Sequence, residues 1–174
     1  MVLTVTLAVG LAACGDDSGG GDDNAATSTP PPTEETEPLP DDLCAVLAEA
    51  GAVGASGLPL GPGAPTTDDG RAVCAYRATD SGGIGVTVGV DASTPFEQKA
   101  ERSREAVGEA GEAVADLGDE AIFLFTTADG PEGLGGMLVG KGPRTIDVTI
   151  QGVADAAEAR RASAALAEGV LEVL

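Results

Sequence analysis

The side chains able to do chemistry in this chain are cysteines and carboxylates, because its 174 residues include no histidine. A Ser-His-Asp or Cys-His arrangement is thereby excluded, and catalysis would need another base, a nucleophile or a metal in a cleft. Asp116 with Asp119 or Glu120 is the kind of carboxylate pair that glycoside hydrolysis employs. With 29 acidic residues in the chain, such neighbours arise by chance, so no catalytic residue is assigned. The cysteines are Cys14, Cys44 and Cys74. A pair of thiolates without imidazole does not complete a tetrahedral site, so neither a metal nor a cofactor is expected. The Gly-rich run 133–140 matches no phosphate-binding spacing and reads as the start of a strand.

Cys14 follows Leu11-Ala12-Ala13, itself the end of an apolar run from Met1 broken only by Thr4, Thr6 and Gly10. The run is too short for a bilayer span, which needs about 20 apolar residues. An apolar stretch leaving through small residues has the form of a secretory signal. Leu11-Ala12-Ala13-Cys14 resembles the lipobox of bacterial lipoproteins. The resemblance implies cleavage before Cys14, a diacylglyceryl group on its sulfur, and a place on the extracytoplasmic face of the cell membrane. Residues 1–13 are then the signal peptide. No Lys or Arg precedes Cys14, and the expectation is a start codon further upstream that supplies one.

Residues 14–40 read as the lipidated cysteine and a tether. Gly15 to Pro40 contains no Lys or Arg, carries Asp16-Asp17, Asp22-Asp23 and Glu34-Glu35, and includes Pro30-Pro31-Pro32. Such a composition cannot offset its ordering entropy and is expected to be disordered. As a flexible coil it would hold a domain about 25–30 Å from its anchor. The formal net charge is −20; seven acids lie in this stretch, leaving 22 acids and nine bases in Asp41–Leu174. So acidic a domain repels nucleic acid and anionic headgroups, so contact with the membrane is expected only through the lipid.

Asp41–Leu174 has the size of a single domain. Aromatic residues are confined to Tyr76, Phe96, Phe123 and Phe125, so the core must be aliphatic. With Cys14 lipidated, Cys44 and Cys74 form an even pair, and outside the cytoplasm a disulfide is the expected state. Asp41 or Asp42 can cap a helix over Leu43–Ala50, closed by Gly51. The Gly/Pro-rich stretch Gly54–Gly70 reads as loop. Ala72–Ala78 and Ile84–Val90 read as a hairpin, the second strand alternating Ile84, Val86, Val88 and Val90 with Gly85, Thr87 and Gly89.

Thr94-Pro95-Phe96-Glu97 has the form of a capping box opening a second helix, with Phe96, Ala100, Ser103, Val107 and Ala110 on its apolar stripe. The spacing places Lys99, Arg102 and Arg104 on its solvated face. A weak strand over Ala113–Leu117 precedes three firm ones: Ala121–Thr127, Leu134–Gly140 and Arg144–Gln151. A final helix runs from about Asp155 to Val173. Strand runs joined by tight turns predict an α+β fold, a mainly antiparallel sheet of about five strands with helices packed on it.

Several short motifs carry a second resemblance: Asp42-Leu43-Cys44, Ala72-Val73-Cys74-Ala75-Tyr76, Gly118-Asp119-Glu120-Ala121 and the closing Ala/Leu helix. Together they resemble a group of small actinobacterial surface lipoproteins with a two-cysteine α+β domain of unknown function. The resemblance implies a surface location and no particular activity. The expected function is a non-catalytic binding or accessory module of the cell envelope, with an unknown envelope protein or small molecule as partner. A carboxylate-dependent envelope hydrolase is the alternative. With Ile84, Val86, Val88, Ile146, Val148 and Ile150 on a helix-covered face, the period of two turns Thr87, Thr145, Asp147 and Thr149 to the other. That small, polar face is the expected binding surface.

Overall fold

The computed structural model describes residues 38–68, 70–80, 83–128 and 130–174. Cys14, the signal peptide and all but the last three residues of the tether lie outside the described residues.

The hairpin, the meander and the helices between them build one antiparallel sheet of seven strands. These are β1 (Ala64–Asp68), β2 (Arg71–Arg77), β3 (Gly85–Asp91), β4 (Glu112–Ala113), β5 (Glu120–Thr126), β6 (Leu134–Lys141) and β7 (Arg144–Gln151). Their order across the sheet is β1-β2-β3-β7-β6-β5-β4. About five strands were expected. The addition is β1, inside the stretch taken as loop, while the weak strand expected over Ala113–Leu117 shortens to the two-residue edge strand β4. Pro65 in β1 cannot donate to a ladder, and Pro is tolerated at a sheet edge, which is where β1 lies.

The helices are α1 (Leu43–Glu49), α2 (Ala52–Ala55), α3 (Phe96–Val107) and α4 (Ala156–Leu171). Asp42 caps α1 by accepting from the Ala45 N–H at 3.0 Å, and Asp155 caps α4 by accepting from Glu158 at 2.7 Å. The capping box expected at Thr94 does not form: Pro95 occupies the cap position of α3 without a side-chain bond. The Thr94 N–H instead turns to Asp91 Oδ1, at 3.3 Å. At the other end of α3, Gly108 takes the left-handed conformation, φ 73°, and its N–H bonds Arg104.

Alternation places Val86, Val88, Val90, Ile146, Val148 and Ile150 on one face, all buried, beneath α4 and the α1–α2 pair. Each such fully buried aliphatic side chain contributes about 1.5–3 kcal/mol. Phe123 and Phe125 stack on this side, 6.4 Å apart. The C-terminal end of α4 departs from the expected stripe, since Val173 follows the helix and is half exposed. A disulfide joins Cys44 on α1 to Cys74 on β2, with Cα atoms 5.1 Å apart. It ties the first helix to the buried face of the sheet.

The second face is not bare. After β3 the chain crosses this face as α3, which packs Phe96 and Ala100 over Ile122, Leu124 and Leu138. Helix α3 packs chiefly on β5 and β6 and reaches β3 and β7 through Lys99. One half of the second face is therefore a small satellite core, and the other half is open.

Candidate functional site

On the second face the register sets four cross-strand rows. One runs Arg71, Asp91, Thr145, Gly140, Glu120; the next Val73, Gly89, Asp147, Leu138, Ile122; the third Ala75, Thr87, Thr149, Gly136, Leu124; the fourth Arg77, Gly85, Gln151, Leu134, Thr126. The four residues expected to form a binding surface divide along these rows. Thr149 is exposed and Thr87 half-buried, side by side in the open half. Thr145 is buried, and its hydroxyl donates to the Thr94 carbonyl at 3.1 Å, so it anchors the entry to α3 and offers nothing to a partner. Asp147 is already engaged by two cations. The surface shrinks accordingly to Thr87 and Thr149 with their small neighbours.

Lys99 is the residue that sequence reasoning misplaced. Instead of facing solvent, its ammonium reaches down from α3 to bond Asp147 Oδ1 and Asp91 Oδ2, both at 3.0 Å. Arg71 on β2 reaches the other oxygen of Asp147. The Arg71 side chain lies over Gly89, where an added Cβ would come within 2.6 Å of Nη2, so that glycine makes room for the guanidinium. Asp91 Oδ1 also accepts from the Ser93 N–H and hydroxyl, each at 2.7 Å. Burial alone would raise the Asp91 carboxyl; the hydrogen bonds from Ser93 and Lys99 outweigh it and hold this acid well below the usual carboxylate range. Two cations and two anions thus cancel, and the network pins α3 to the sheet. A charged residue on a helix face carries no sequence signal for such a role, because its partners arrive from strands 8 and 48 residues away.

Beside this network the surface is concave on both sides of Thr149. Towards α3 lies a hollow of about 190 Å³, lined mainly by Val107, Leu124, Leu134, Leu138 and Gly136. On its α3 side the helix presents only Ser103 and Ala106 beside Val107. A Cβ at Gly136 would fall 1.8 Å from the Val148 carbonyl oxygen, so only glycine fits there. Towards β1 lies a larger hollow of about 620 Å³ over Ala75, Arg77, Thr79, Thr87 and Gln151, bordered by Gly61-Pro62. Thr149 borders both.

The carboxylates singled out from the sequence lie elsewhere. Asp119 accepts from the Gly142 N–H at 2.7 Å and from Lys141 at 3.2 Å, bracing the β6–β7 turn. Those two bonds, the backbone one first, lower its pKa. Asp116 and Glu120 are exposed. Among the described residues no group of three or more His, Cys, Asp or Glu is placed to hold a metal ion, and no helix is long and apolar enough to cross a membrane. Compared with known proteins, the chain matches no family model, no curated protein and no solved structure.

Proposed function

We propose that this chain is a lipid-anchored extracytoplasmic protein whose domain binds an envelope component without catalysis, on the half of the sheet that α3 leaves open. The anchor reading rests on Leu11-Ala12-Ala13-Cys14, and the kinship with actinobacterial two-cysteine lipoproteins on the short motifs quoted above. The single observation that carries the binding reading is the uncovered stretch of β2, β3 and β7. Val73, Ala75, Thr87 and Thr149 there present short side chains to solvent next to two hollows. A side-chain-poor, concave surface lets a partner approach closely at little desolvation cost.

What favours binding over a carboxylate hydrolase is the employment of the acids. Asp119 is committed to a turn, and Asp91 and Asp147 are committed to Lys99 and Arg71. A hydrolase needs one free acid and one free carboxylate facing each other across a cleft. The test is affinity recovery of envelope components with the tagged chain. Thr87→Arg and Thr149→Arg should abolish recovery while the protein still melts cooperatively, and Arg102→Glu, on the exposed side of α3, should recover normally. Equal recovery by all three variants rejects this surface.

A further inference from the structure

We infer that the two hollows beside Thr149 form one two-ended site for a small amphipathic anion, with a compact hydrocarbon group at Gly136 and a carboxylate at Arg77. The inference rests on the sheet-face reading above and narrows the class of ligand. The α3 hollow has the lining and size for hydrocarbon: it measures about 190 Å³. An apolar cavity of about 150 Å³ is known to take benzene, so a ring or branched group of six or seven carbons suits this one. The one carboxylate on its border, Asp147, is neutralised by Lys99 and Arg71 and does not repel an anion entering beside it.

The second hollow has the opposite chemistry. Its lining contains no Asp or Glu, although 29 of 174 residues are acidic, and its one charged side chain is Arg77. Among the described residues no carboxylate pairs with Arg77. Thr87 and Gln151 supply further donors around it, whereas the Thr79 hydroxyl is given to the Pro59 carbonyl at 3.2 Å. Charge elsewhere on this acidic domain is screened over about 8–10 Å at ordinary ionic strength, so the local guanidinium sets the preference. Strands lie about 4.8 Å apart and rise about 3.4 Å per residue, so Gly136 and Arg77, three strands across and one row apart, are about 16 Å from each other at Cα, and the Arg77 side chain shortens that gap. A ligand roughly 10–14 Å long therefore reaches from Gly136 to the guanidinium.

The probe that fits these terms is 6-phenylhexanoate, with 6-phenylhexan-1-ol as its uncharged counterpart. Titration calorimetry on the full chain should show saturable binding of the anion, and binding of the alcohol about tenfold weaker, as loss of a charge-assisted bond implies. Arg77→Gln should erase the preference for the anion. Ser103→Leu, which fills the apolar hollow from α3, should weaken both ligands about tenfold; Ser103→Met serves the same purpose if Leu disturbs folding. Absence of saturable binding overturns the inference, and so does binding indifferent to either substitution. Neither result touches the sheet-face reading, which falls only if Thr87→Arg and Thr149→Arg leave partner recovery intact.

Discussion

Replacing Lys99 by Met should cost far more than removal of a surface charge. The ammonium bonds Asp91 and Asp147 at 3.0 Å, and the three side chains are 15%, 7% and 18% exposed. Exposed pairs contribute about 0–1 kcal/mol, whereas stripping one partner from a buried pair costs about 3–5 kcal/mol. Here each carboxylate keeps other donors: Ser93 and Thr94 for Asp91, Arg71 for Asp147. The expected loss is therefore intermediate, about 2–3 kcal/mol, the scale of hydrogen bonds to charged groups weakened by the surviving ones. Urea unfolding followed by circular dichroism measures it, and the m value should be unchanged because the sheet remains intact. A double-mutant cycle with Asp147→Asn should return a coupling of about 1–2 kcal/mol. A loss below about 0.5 kcal/mol, or no coupling, would mean that Lys99 behaves as a solvated charge and that α3 is held by Phe96 and Ala100 alone.

The Cys44–Cys74 disulfide closes a loop of 30-residue separation. Its reduction should cost about 3.5 kcal/mol by the chain-entropy relation, read as a lower melting temperature, and two freely alkylated thiols in the native protein would refute the pairing. Asp91 is ionised more easily in the folded than in the unfolded chain. Its contribution is therefore complete above about pH 4 and declines as pH falls towards the folded pKa, so Asp91→Asn should flatten the acid limb of stability measured between pH 5 and pH 2. An unchanged acid limb would count against the Ser93 and Lys99 bonds. At the anchor, a fatty-acid probe should label the wild-type chain and not Cys14→Ser; failure to label wild type ends the lipoprotein reading. Two acyl chains at about 0.8 kcal/mol per buried CH₂ give stable attachment, where a single chain is marginal.

Alternation in Ile84–Val90 and Arg144–Gln151 was enough to place the main core, because one-sided burial repeats every second residue. The Asp caps of α1 and α4 were likewise readable, since each side chain bonds an amide three residues on. β1 escaped notice because Ala64-Pro65-Thr66 has no apolar alternation; an edge strand on an open face needs none. Thr94 looked like a cap, yet the nearby Asp91 carboxylate took its N–H and left Pro95 to open the helix. Thr87 and Thr149 followed from the period of two. The burial of Thr145 and the engagement of Asp147 did not, because both depend on where α3 crosses the sheet. The hollow at Gly136 is equally a tertiary feature, made where β6 meets the small side chains of α3.

The central claim, that partners meet the open half of the second face, is tested most directly by site-specific photo-crosslinking in intact envelopes. A diazirine side chain at position 87, on the open surface, should give a discrete covalent adduct, and the same group at position 102, on the exposed side of α3, should give none. Adducts of equal yield at both positions, or adducts only from the 54–70 segment with none from position 87, would contradict the account and move the binding surface off the sheet.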